Sequence, residues 1–284
     1  QTCALPISGH AAPVPGQRHG RAGPAVVHHR RADRLLVGLE HRVLAAGPAN
    51  SDVCGVAISS PGAVNKATGV IEGASALPYI HDFDIHAELE KRFGLPVSIE
   101  NDANCAALAE VKFGAAKGLS DVLLLVLGTG VGGGIIINGK ILTGENGAGG
   151  EIGHMCVNLE ETDTCGCGGH GCLEQYASAT GISRLARKKM EHETRATILT
   201  KEDLSAKAVF DAVKEGDEVA IEVATEMGNY LGHAMADMAA VLDPAVFVIG
   251  GGVSKAGEVL LSFIEKPFME KAFFANKNVK FKLA

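Results

Sequence analysis

The sequence has no tryptophan, only three tyrosines and no apolar run that approaches the roughly 20 residues of a bilayer-spanning helix. The absence of such a run excludes a chain that crosses a membrane as a helix. A net charge of −7 excludes a nucleic-acid protein whose surface is basic throughout. Residues 1–9 lack the order of charged, apolar and small residues that marks a signal peptide. The 284 residues, 46% of them apolar, are enough for one large or two ordinary α/β domains.

Residues 1–50 contain no lysine and no Gly-Gly pair, yet they hold six of the ten arginines and five of the ten prolines. This segment is basic, whereas the rest of the chain is acidic. The abrupt change favours a foreign or frame-shifted segment fused to a truncated gene. A basic disordered arm that binds nucleic acid or a membrane is the alternative. We therefore expect residues 1–50 to be aberrant or disordered and leave them out of the fold prediction.

From residue 51 onward, predicted strands and helices alternate, which indicates an α/β fold. Residues 122–127 (VLLLVL) are entirely apolar, as in a strand covered on both faces. Asn138-Gly139 between two isoleucine-rich segments predicts a β-hairpin. Apolar residues at helical spacing over 220–242 predict a long amphipathic helix, which Asp243-Pro244 ends.

Two glycine clusters follow predicted strands, at residues 127–134 (LGTGVGGG) and 249–254 (IGGGVS). Backbone N–H groups of such loops can converge on phosphate oxygens. The first cluster also matches the dinucleotide pattern GxGxxG, but a hairpin follows it where that pattern requires a helix. A hydride-transfer enzyme is therefore disfavoured, and glycines that serve tight turns alone remain an alternative. In a doubly wound sheet, both clusters could flank one nucleotide.

Cys165, Cys167 and Cys172 have a C-x-C-x4-C spacing in a glycine-rich loop, and His154 precedes them by eleven residues. Three thiolates and one imidazole are the ligands of a closed, structural Cys3His zinc site. A disulfide framework fits poorly, since Cys165 and Cys167 are too close in sequence to pair comfortably. His170 is a weaker candidate ligand than His154. Four further cysteines lack comparable spacing and are expected to be ordinary thiols: Cys3, Cys54, Cys105 and Cys156.

Three carboxylates are candidates for chemistry. Asp102 lies where a predicted strand ends and a helix begins, so it is equally well interpreted as a helix N-cap or as a general base. Glu151 and His154 would face the same way on a helical turn, and Glu174 follows the cysteine loop. If zinc folds that loop back, these three side chains converge on a pocket suited to a polyhydroxylated ligand. A lone surface glutamate is the simpler alternative for each.

Taken together, these segments resemble the ROK family of sugar kinases and repressors. The matching segments, in the family's order, are residues 100–104 (ENDAN), 127–134 (LGTGVGGG), 150–154 (GEIGH), 165–174 (CGCGGHGCLE) and 249–254 (IGGGVS). The resemblance covers about residues 51–284. It implies an actin-like ATPase (ribonuclease H-like) fold with two α/β domains around a cleft. It also implies ATP- and magnesium-dependent phosphorylation of a hexose hydroxyl, with the 6-position of glucose or a glucoside as the default.

The resemblance also implies roles for individual residues. Asp102 is implied as the general base, and the implied sugar ligands are Asn101, Glu151, His154 and Glu174. Structural zinc would bind His154, Cys165, Cys167 and Cys172. The implied phosphate contacts of ATP are Gly128, Thr129, Gly130, Gly132 and Gly133, and Gly251 and Gly252 would lie near the adenosine. Residues 51–104 would then be a remnant of the N-terminal sugar kinase domain, and residues 105–284 a truncated nucleotide- and zinc-binding domain.

Two departures from the family pattern affect the expected activity. The DxGGT-type strand–turn near the N-terminus is missing, and the chain stops in a predicted strand at residues 281–284. We therefore expect the chain to be impaired as it stands. A sugar-sensing repressor and a non-catalytic sugar-binding remnant are the alternatives, although residues 1–50 do not have the pattern of a helix-turn-helix. The expected partners are a sugar and ATP, with no nucleic acid and no membrane. A cytoplasmic homo-oligomer of two or more chains is expected.

Overall fold

The computed structural model describes residues 3–6, 54–73, 80–81 and 84–284. The strands are β1 (Cys3–Pro6), β2 (Val56–Ser60), β3 (Ala63–Val64), β4 (Ile71–Glu72), β5 (Val97–Asn101), β6 (Val122–Leu127), β7 (Val131–Ile137), β8 (Lys140–Ile141), β9 (Val246–Gly250) and β10 (Lys280–Leu283). The α-helices are α1 (Ile85–Phe93), α2 (Asp102–Lys112), α3 (Glu174–Ala177), α4 (Ala179–His192), α5 (Ala206–Lys214), α6 (Glu218–Leu242) and α7 (Glu258–Lys271). Strands and helices alternate along the chain, as the sequence predicts.

The chain divides into two compact units. The first contains the described residues up to Cys105 together with Thr143–Gly149, and the second contains Ala106–Leu142 and Gly150–Ala284. The sequence did not predict that Thr143–Gly149 belongs to the first unit. Apart from the strand Cys3–Pro6, the expectations for residues 1–50 lie outside the described residues.

The first unit is built on a parallel sheet in the order β1-β2-β5. Val56 and Ile58 of β2 alternate with less buried positions and pack with Val97 and Ile99 of β5. Ile85 and Leu89 of α1 belong to the same core. The core therefore holds the carboxyl end of β5 in place, which is where Asn101 leads into α2.

The second unit contains a five-stranded sheet in the order β10-β9-β6-β7-β8. Strands β9 and β10 run parallel to each other, and β6 runs parallel to β9, whereas β7 and β8 are antiparallel to their neighbours. Strand β6 occupies the predicted range and is buried at every position but Val126, which is half-buried. Because β6 is central and covered on both faces, its apolar residues need no alternation.

The hairpin between β7 and β8 turns at Asn138-Gly139, as predicted. Asn138 has a φ of 51° and Gly139 a φ of 74°. Both angles are positive, which is what a two-residue turn of type I′ requires. The turn places β8 against β7, with Ile137 opposite Lys140.

Helix α6 follows the predicted apolar spacing and is the longest helix among the described residues. Its N-cap is Asp217, whose side chain accepts a hydrogen bond from the Ala220 N–H at 2.8 Å. It ends at Asp243, which takes a left-handed conformation (φ 44°), and Pro244 cannot continue the helix. None of the described helices combines the length and apolar character that a bilayer span requires.

Helices α6 and α7 approach closely at Gly228. A Cβ atom at Gly228 would overlap the carbonyl oxygen of Phe263, which is backbone and cannot rotate away. We expect Gly228→Ala to lower the free energy of unfolding by about 1–3 kcal/mol through overpacking. Asn229→Ala is the matched control, because Asn229 is exposed on the same helix. Urea unfolding measures both, and an equally stable Gly228→Ala variant would contradict the close approach.

Candidate functional site

The turn from β5 into α2 shows which residue caps the helix. The Oδ1 atom of Asn101 accepts hydrogen bonds from the N–H groups of Ala103 at 2.8 Å and Asn104 at 3.1 Å. Its Nδ2 atom donates to the carbonyl of Gly62 at 3.1 Å. Asn101 therefore performs the capping that the sequence analysis left open for Asp102. The Asn101 side chain is correspondingly committed to structural hydrogen bonds at both ends.

Asp102 is the first residue of α2 and is exposed. Its Oδ1 atom accepts a hydrogen bond from the adjacent Ala103 N–H at 2.9 Å. Desolvation by the surrounding protein raises the pKa of the Asp102 carboxyl, and the Ala103 N–H opposes this. A carboxylate with an accessible oxygen and a raised pKa can accept a proton.

Glu100 and Asn104 brace the same turn. Glu100 Oε1 accepts hydrogen bonds from the Asn101 N–H at 3.1 Å and from Asn104 Nδ2 at 3.0 Å. Its other oxygen lies 3.2 Å from Lys66 Nζ. Asn104 is 1% exposed, and its Oδ1 is the one buried side-chain polar atom without a partner in the described part of the chain. These contacts fix the backbone of the turn between β5 and α2, and they thereby orient Asp102, the first residue of the helix.

The first glycine cluster divides between a turn and a strand. Gly128, Thr129 and Gly130 form the turn from β6 to β7, whereas Gly132 and Gly133 lie within β7. The turn packs on the start of α4, because the Gly128 carbonyl accepts from the Ala179 N–H at 2.8 Å. The Thr129 carbonyl likewise accepts from Thr180 Oγ1 at 2.6 Å. Only the turn residues are therefore placed in a loop that a ligand could approach.

Gly133 has a packing role within β7. A Cβ atom there would lie 2.5 Å from the carbonyl oxygen of Gly150. Glycine therefore lets the segment that leads into Glu151 approach the strand closely.

The second glycine cluster lies beside the first. Strands β6 and β9 are parallel neighbours with Val126 opposite Gly250, so their carboxyl ends meet at one edge of the sheet. Gly251 has a φ of 88°, and a Cβ atom there would lie 2.5 Å from the Leu127 carbonyl oxygen. Gly252 precedes a short 3-10 turn and has open space around it. Ligands of open α/β sheets bind at such an edge.

The predicted metal ligands come together in the second unit. Donor atoms of His154, Cys165, Cys167 and Cys172 all lie within 4.8 Å of one another. The Sγ atoms of Cys167 and Cys172 are 3.6 Å apart, and Cys165 Sγ is 3.9 Å from His154 Nδ1. Ligands of a tetrahedral zinc ion are about 3.5–3.8 Å apart, so the donor set fits zinc in chemistry and spacing. The three cysteines are free thiols, and His170 lies near the Asp163 carbonyl instead.

Two of the predicted sugar ligands contact this cluster. Glu151 immediately precedes a 3-10 turn, and its Oε2 atom is 3.9 Å from His154 Nε2. Glu174 begins α3, and its Oε1 atom is 3.7 Å from Cys165 Sγ. Glu174 Oε2 also accepts a hydrogen bond from the Val131 N–H at 3.1 Å, next to the glycine turn. The cysteine loop therefore connects Glu151, His154 and Glu174 through direct contacts.

A hydrogen-bond network that the sequence did not predict supports the cysteine loop; we call it the brace. Gln175 accepts from the Cys172 N–H at 3.0 Å and donates to the Asp163 carbonyl at 2.8 Å. Arg184 donates to the Gln175 carbonyl at 3.0 Å and to the carboxylates of Asp163 and Glu161. The brace fixes both sides of the loop and the helix that carries Glu174. Its residues are spread over α3, α4 and the loop, so no spacing in the sequence signals it.

Glu161 is the most buried charge in this brace, with 7% of its side chain exposed. Burial alone would raise its pKa, but hydrogen bonds from the Asp163 N–H, the Tyr176 hydroxyl and Arg184 lower the pKa of Glu161 to about 2. Ionised Glu161 therefore contributes stability that is present above its ordinary pKa of 4.5 and is lost as the pH falls towards 2.

We expect Glu161→Gln to lower the free energy of unfolding at neutral pH by about 3–5 kcal/mol, because it leaves the Arg184 charge without its buried partner. The difference between the two proteins should shrink as the pH falls below 4.5. Chemical unfolding at several pH values measures it, with Asp211→Asn in the exposed pair with Lys207 as control. A pH-independent difference would contradict the assigned ionisation.

Comparisons with known proteins identify the family of the chain. The sequence model described as ROK family matches residues 30–283, so the likeness begins earlier than the expected residue 51. A glucokinase from Halalkalibacterium halodurans is 43% identical over 250 residues, which cover 87% of this chain and 74% of that protein. A xylose repressor from Caldicellulosiruptor bescii is 30% identical, and the alignment covers 85% of this chain and 61% of that protein.

The solved structures give the same family. A ROK family glucokinase from Streptomyces griseus, in complex with glucose and AMPPNP, has a TM-score of 0.72 and 33% identity. The alignment covers 89% of this chain and 82% of that one. The fold is therefore the expected actin-like ATPase fold.

Proposed function

This chain belongs to the ROK family, and we propose that it is a sugar kinase that transfers the γ-phosphoryl group of ATP to a hexose. Glucose, at its 6-hydroxyl, is the proposed acceptor, and glucosides are close alternatives. The observation that carries the proposal is the turn at the start of α2, where Asn101 caps the helix and leaves the Asp102 carboxylate free to act. The glucokinase relatives support the same reaction.

Asp102 is the proposed general base. As the sugar hydroxyl attacks the phosphorus atom, its proton moves to an Asp102 oxygen and ADP leaves. Phosphoryl transfer depends chiefly on positioning and on neutralising charge, so one well-placed carboxylate is sufficient protein chemistry. The hydrogen bonds of Glu100 with the Asn101 N–H and with Asn104 support this role, since they fix the turn from which Asp102 projects.

Glu151, His154 and Glu174 are the proposed ligands of the sugar hydroxyls. Glu151 and Glu174 carry acceptor oxygens, and His154 can donate through Nε2 when its Nδ1 holds zinc. The contacts of Glu151 with His154, of His154 with Cys165 and of Cys165 with Glu174 bring the three side chains together. Hydroxyl groups of a bound sugar need such partners, because each buried polar group left unpaired costs about 1–3 kcal/mol. Asn101 was also predicted to bind sugar. Its remaining Nδ2 hydrogen is the part still available for that role.

The proposed nucleotide site uses the shared edge of β6 and β9. The phosphates would lie at the turn of Gly128, Thr129 and Gly130, with Gly251 and Gly252 near the adenosine. Gly132 and Gly133 support the turn from within β7. Magnesium would neutralise the charge of the transferred phosphoryl group.

Zinc is the proposed occupant of the cluster of His154, Cys165, Cys167 and Cys172. When bound, it would supply a structural crosslink and no reactive group, because four protein ligands close its coordination. His154 would then hold zinc through Nδ1 while Nε2 faces Glu151. A reducing compartment such as the cytoplasm suits such thiols, and the homo-oligomeric state stays a prediction.

The direct test is sugar-dependent formation of ADP. Adding glucose to the protein with ATP and magnesium should produce ADP and glucose 6-phosphate in equal amounts. A panel with fructose, N-acetylmannosamine and β-glucosides then identifies the preferred acceptor. Sugar binding without ADP would favour a non-catalytic remnant, and sugar-sensitive DNA binding would favour the repressor function of the xylose repressor relative.

A further inference from the structure

We propose that Cys156 and Cys172 form a peroxide-sensitive disulfide pair whose closure removes one donor from the His154–Cys165–Cys167–Cys172 cluster. The disulfide itself is inferred from the backbone of the second unit. Its consequence for metal and activity rests on the proposed function. Cys156 lacks the spacing of the clustered cysteines, so the sequence alone predicts an ordinary thiol there.

Cys156 and Cys172 are directly opposite each other on two antiparallel segments. The Val157 N–H donates to the Gly171 carbonyl at 2.7 Å, and the Leu173 N–H donates to the Met155 carbonyl at 2.9 Å. These two hydrogen bonds flank the cysteines, which makes them a non-hydrogen-bonded antiparallel pair. In such a pair the Cα atoms are about 4.5 Å apart and the side chains leave the same face. Disulfides form at Cα separations of about 4.4–6.8 Å, so the backbone already meets the requirement.

The surroundings leave room for the bond. Gly171 precedes Cys172, and a Cβ atom at Gly171 would lie 3.2 Å from Cys156 Sγ. A side chain at that position would crowd the thiol, whereas glycine leaves it free to turn. Among the described residues, the only polar contact of Cys156 Sγ is with the Asn158 carbonyl, at 3.7 Å. A rotation of the Cys156 side chain can therefore reach Cys172 without breaking a strong interaction.

The two thiols differ in accessibility. Cys156 is exposed, whereas Cys172 is 3% exposed and belongs to the metal-binding cluster. Cys156 is also outside the cluster, so a metal ion held by the four ligands does not protect it. Oxidants in solution therefore meet Cys156 first.

The chemistry requires one molecule of hydrogen peroxide. The Cys156 sulfur attacks one peroxide oxygen, the O–O bond breaks, and Cys156 sulfenic acid and water form. The Cys172 sulfur then attacks the Cys156 sulfur and the S–O bond breaks. The leaving hydroxide becomes water with a proton from the Cys172 thiol in the metal-free protein, or from solvent where Cys172 is a zinc-bound thiolate. Two thiols are oxidised to one disulfide as peroxide is reduced to two waters. A thiol reductant reverses the change.

Closing this disulfide takes Cys172 from the cluster. Three donors remain, and a structural zinc site normally needs four. The Cys172 N–H also contacts Gln175, next to Glu174, so a shift of this residue disturbs the loop that positions the proposed sugar ligand. Oxidation is therefore expected to release zinc and to lower sugar affinity together.

The test treats the zinc-loaded protein with hydrogen peroxide and maps its disulfides. Cleavage after Glu151, Glu160, Glu161 and Glu174 separates Cys156 from the three clustered cysteines, whereas trypsin does not cut between them. Mass spectrometry should find the peptide 152–160 joined to 162–174, with fragment ions that assign the bond to Cys172. A chromogenic chelator should detect zinc release with the same time course, and dithiothreitol with zinc should restore the reduced form.

Cys156→Ser is the decisive variant, and Cys54→Ser, at an exposed cysteine of the other unit, is its control. The joined peptide should be lost in Cys156→Ser and retained in Cys54→Ser, and zinc release should slow only in the former. Two results would overturn the proposal. One is a disulfide between Cys167 and Cys172, in place of Cys156–Cys172, after peroxide treatment of the protein without substitutions. The other is unchanged zinc release in Cys156→Ser. Peptide mapping does not require kinase activity, so absence of ADP formation would reject the proposed function alone.

Discussion

Replacing Asp102 by asparagine is expected to lower kcat for sugar phosphorylation by about 10²–10⁴-fold, the usual contribution of a general base. Asparagine keeps the size of the side chain and can still accept the hydrogen bond from the Ala103 N–H. It cannot take a proton from the sugar hydroxyl. Affinity for the sugar should therefore stay close to that of the unchanged protein, as measured by titration calorimetry without nucleotide.

Glu88→Gln is the matched control, because it removes a surface carboxylate from the same unit. It should leave both kcat and sugar affinity unchanged. If Asp102→Asn instead lost all sugar affinity while its thermal unfolding stayed normal, Asp102 would be a binding or structural residue. A fully active variant would remove it from the mechanism.

The pH dependence offers an independent check on Asp102. Transfer requires the ionised carboxylate, so activity is lost as the pH falls through the Asp102 pKa. Because desolvation raises that pKa, the acid limb of kcat/KM should lie above the range of an ordinary aspartate. The residual activity of Asp102→Asn should lack this limb. A limb shared by both proteins would have to come from another group.

The second large effect is expected from Cys167→Ser. Removing one thiolate from the cluster should abolish stoichiometric zinc binding, since serine is a poor ligand for this ion. Binding of structural zinc contributes roughly 10 kcal/mol or more to the folding free energy of small zinc domains. Part of that free energy is lost when one of the cysteine ligands is removed. The midpoint of thermal unfolding should fall, and KM for the sugar should rise because Glu151 and Glu174 lose their common support.

Metal analysis and calorimetric unfolding measure these changes. Cys54→Ser is the control, because Cys54 is exposed and lies outside the cluster. A chelator should lower the stability of the unchanged protein and of Cys54→Ser but not that of Cys167→Ser. Equal zinc content in all three proteins would contradict the assigned ligands.

Local sequence signals predicted the second unit well. Strand β6 occupies the expected residues because six consecutive apolar side chains suit a central strand. The hairpin turn follows from Asn138-Gly139, and the end of α6 follows from Asp243-Pro244. In each case a short stretch of chain determines its own conformation, so nearby residues carry the information.

The sequence was less informative where distant segments meet. Both Asn101 and Asp102 are good capping residues, and only the direction of the Asn101 side chain shows which one caps α2. Arg184 has the helical position of an ordinary surface arginine, yet it reaches the carbonyl of Gln175. The pairing of Cys156 with Cys172 depends on how the loop folds back. Such contacts are set by tertiary packing, which spacing along one sequence does not encode.

The most direct test of the proposed kinase mechanism is a crystal structure with glucose and a non-hydrolysable ATP analogue. We expect an Asp102 carboxylate oxygen about 2.6–3.2 Å from the 6-hydroxyl of the sugar. We also expect Glu151, His154 and Glu174 on the other ring hydroxyls. A sugar bound away from Asp102, or one held without Glu151 and Glu174, would contradict the mechanism.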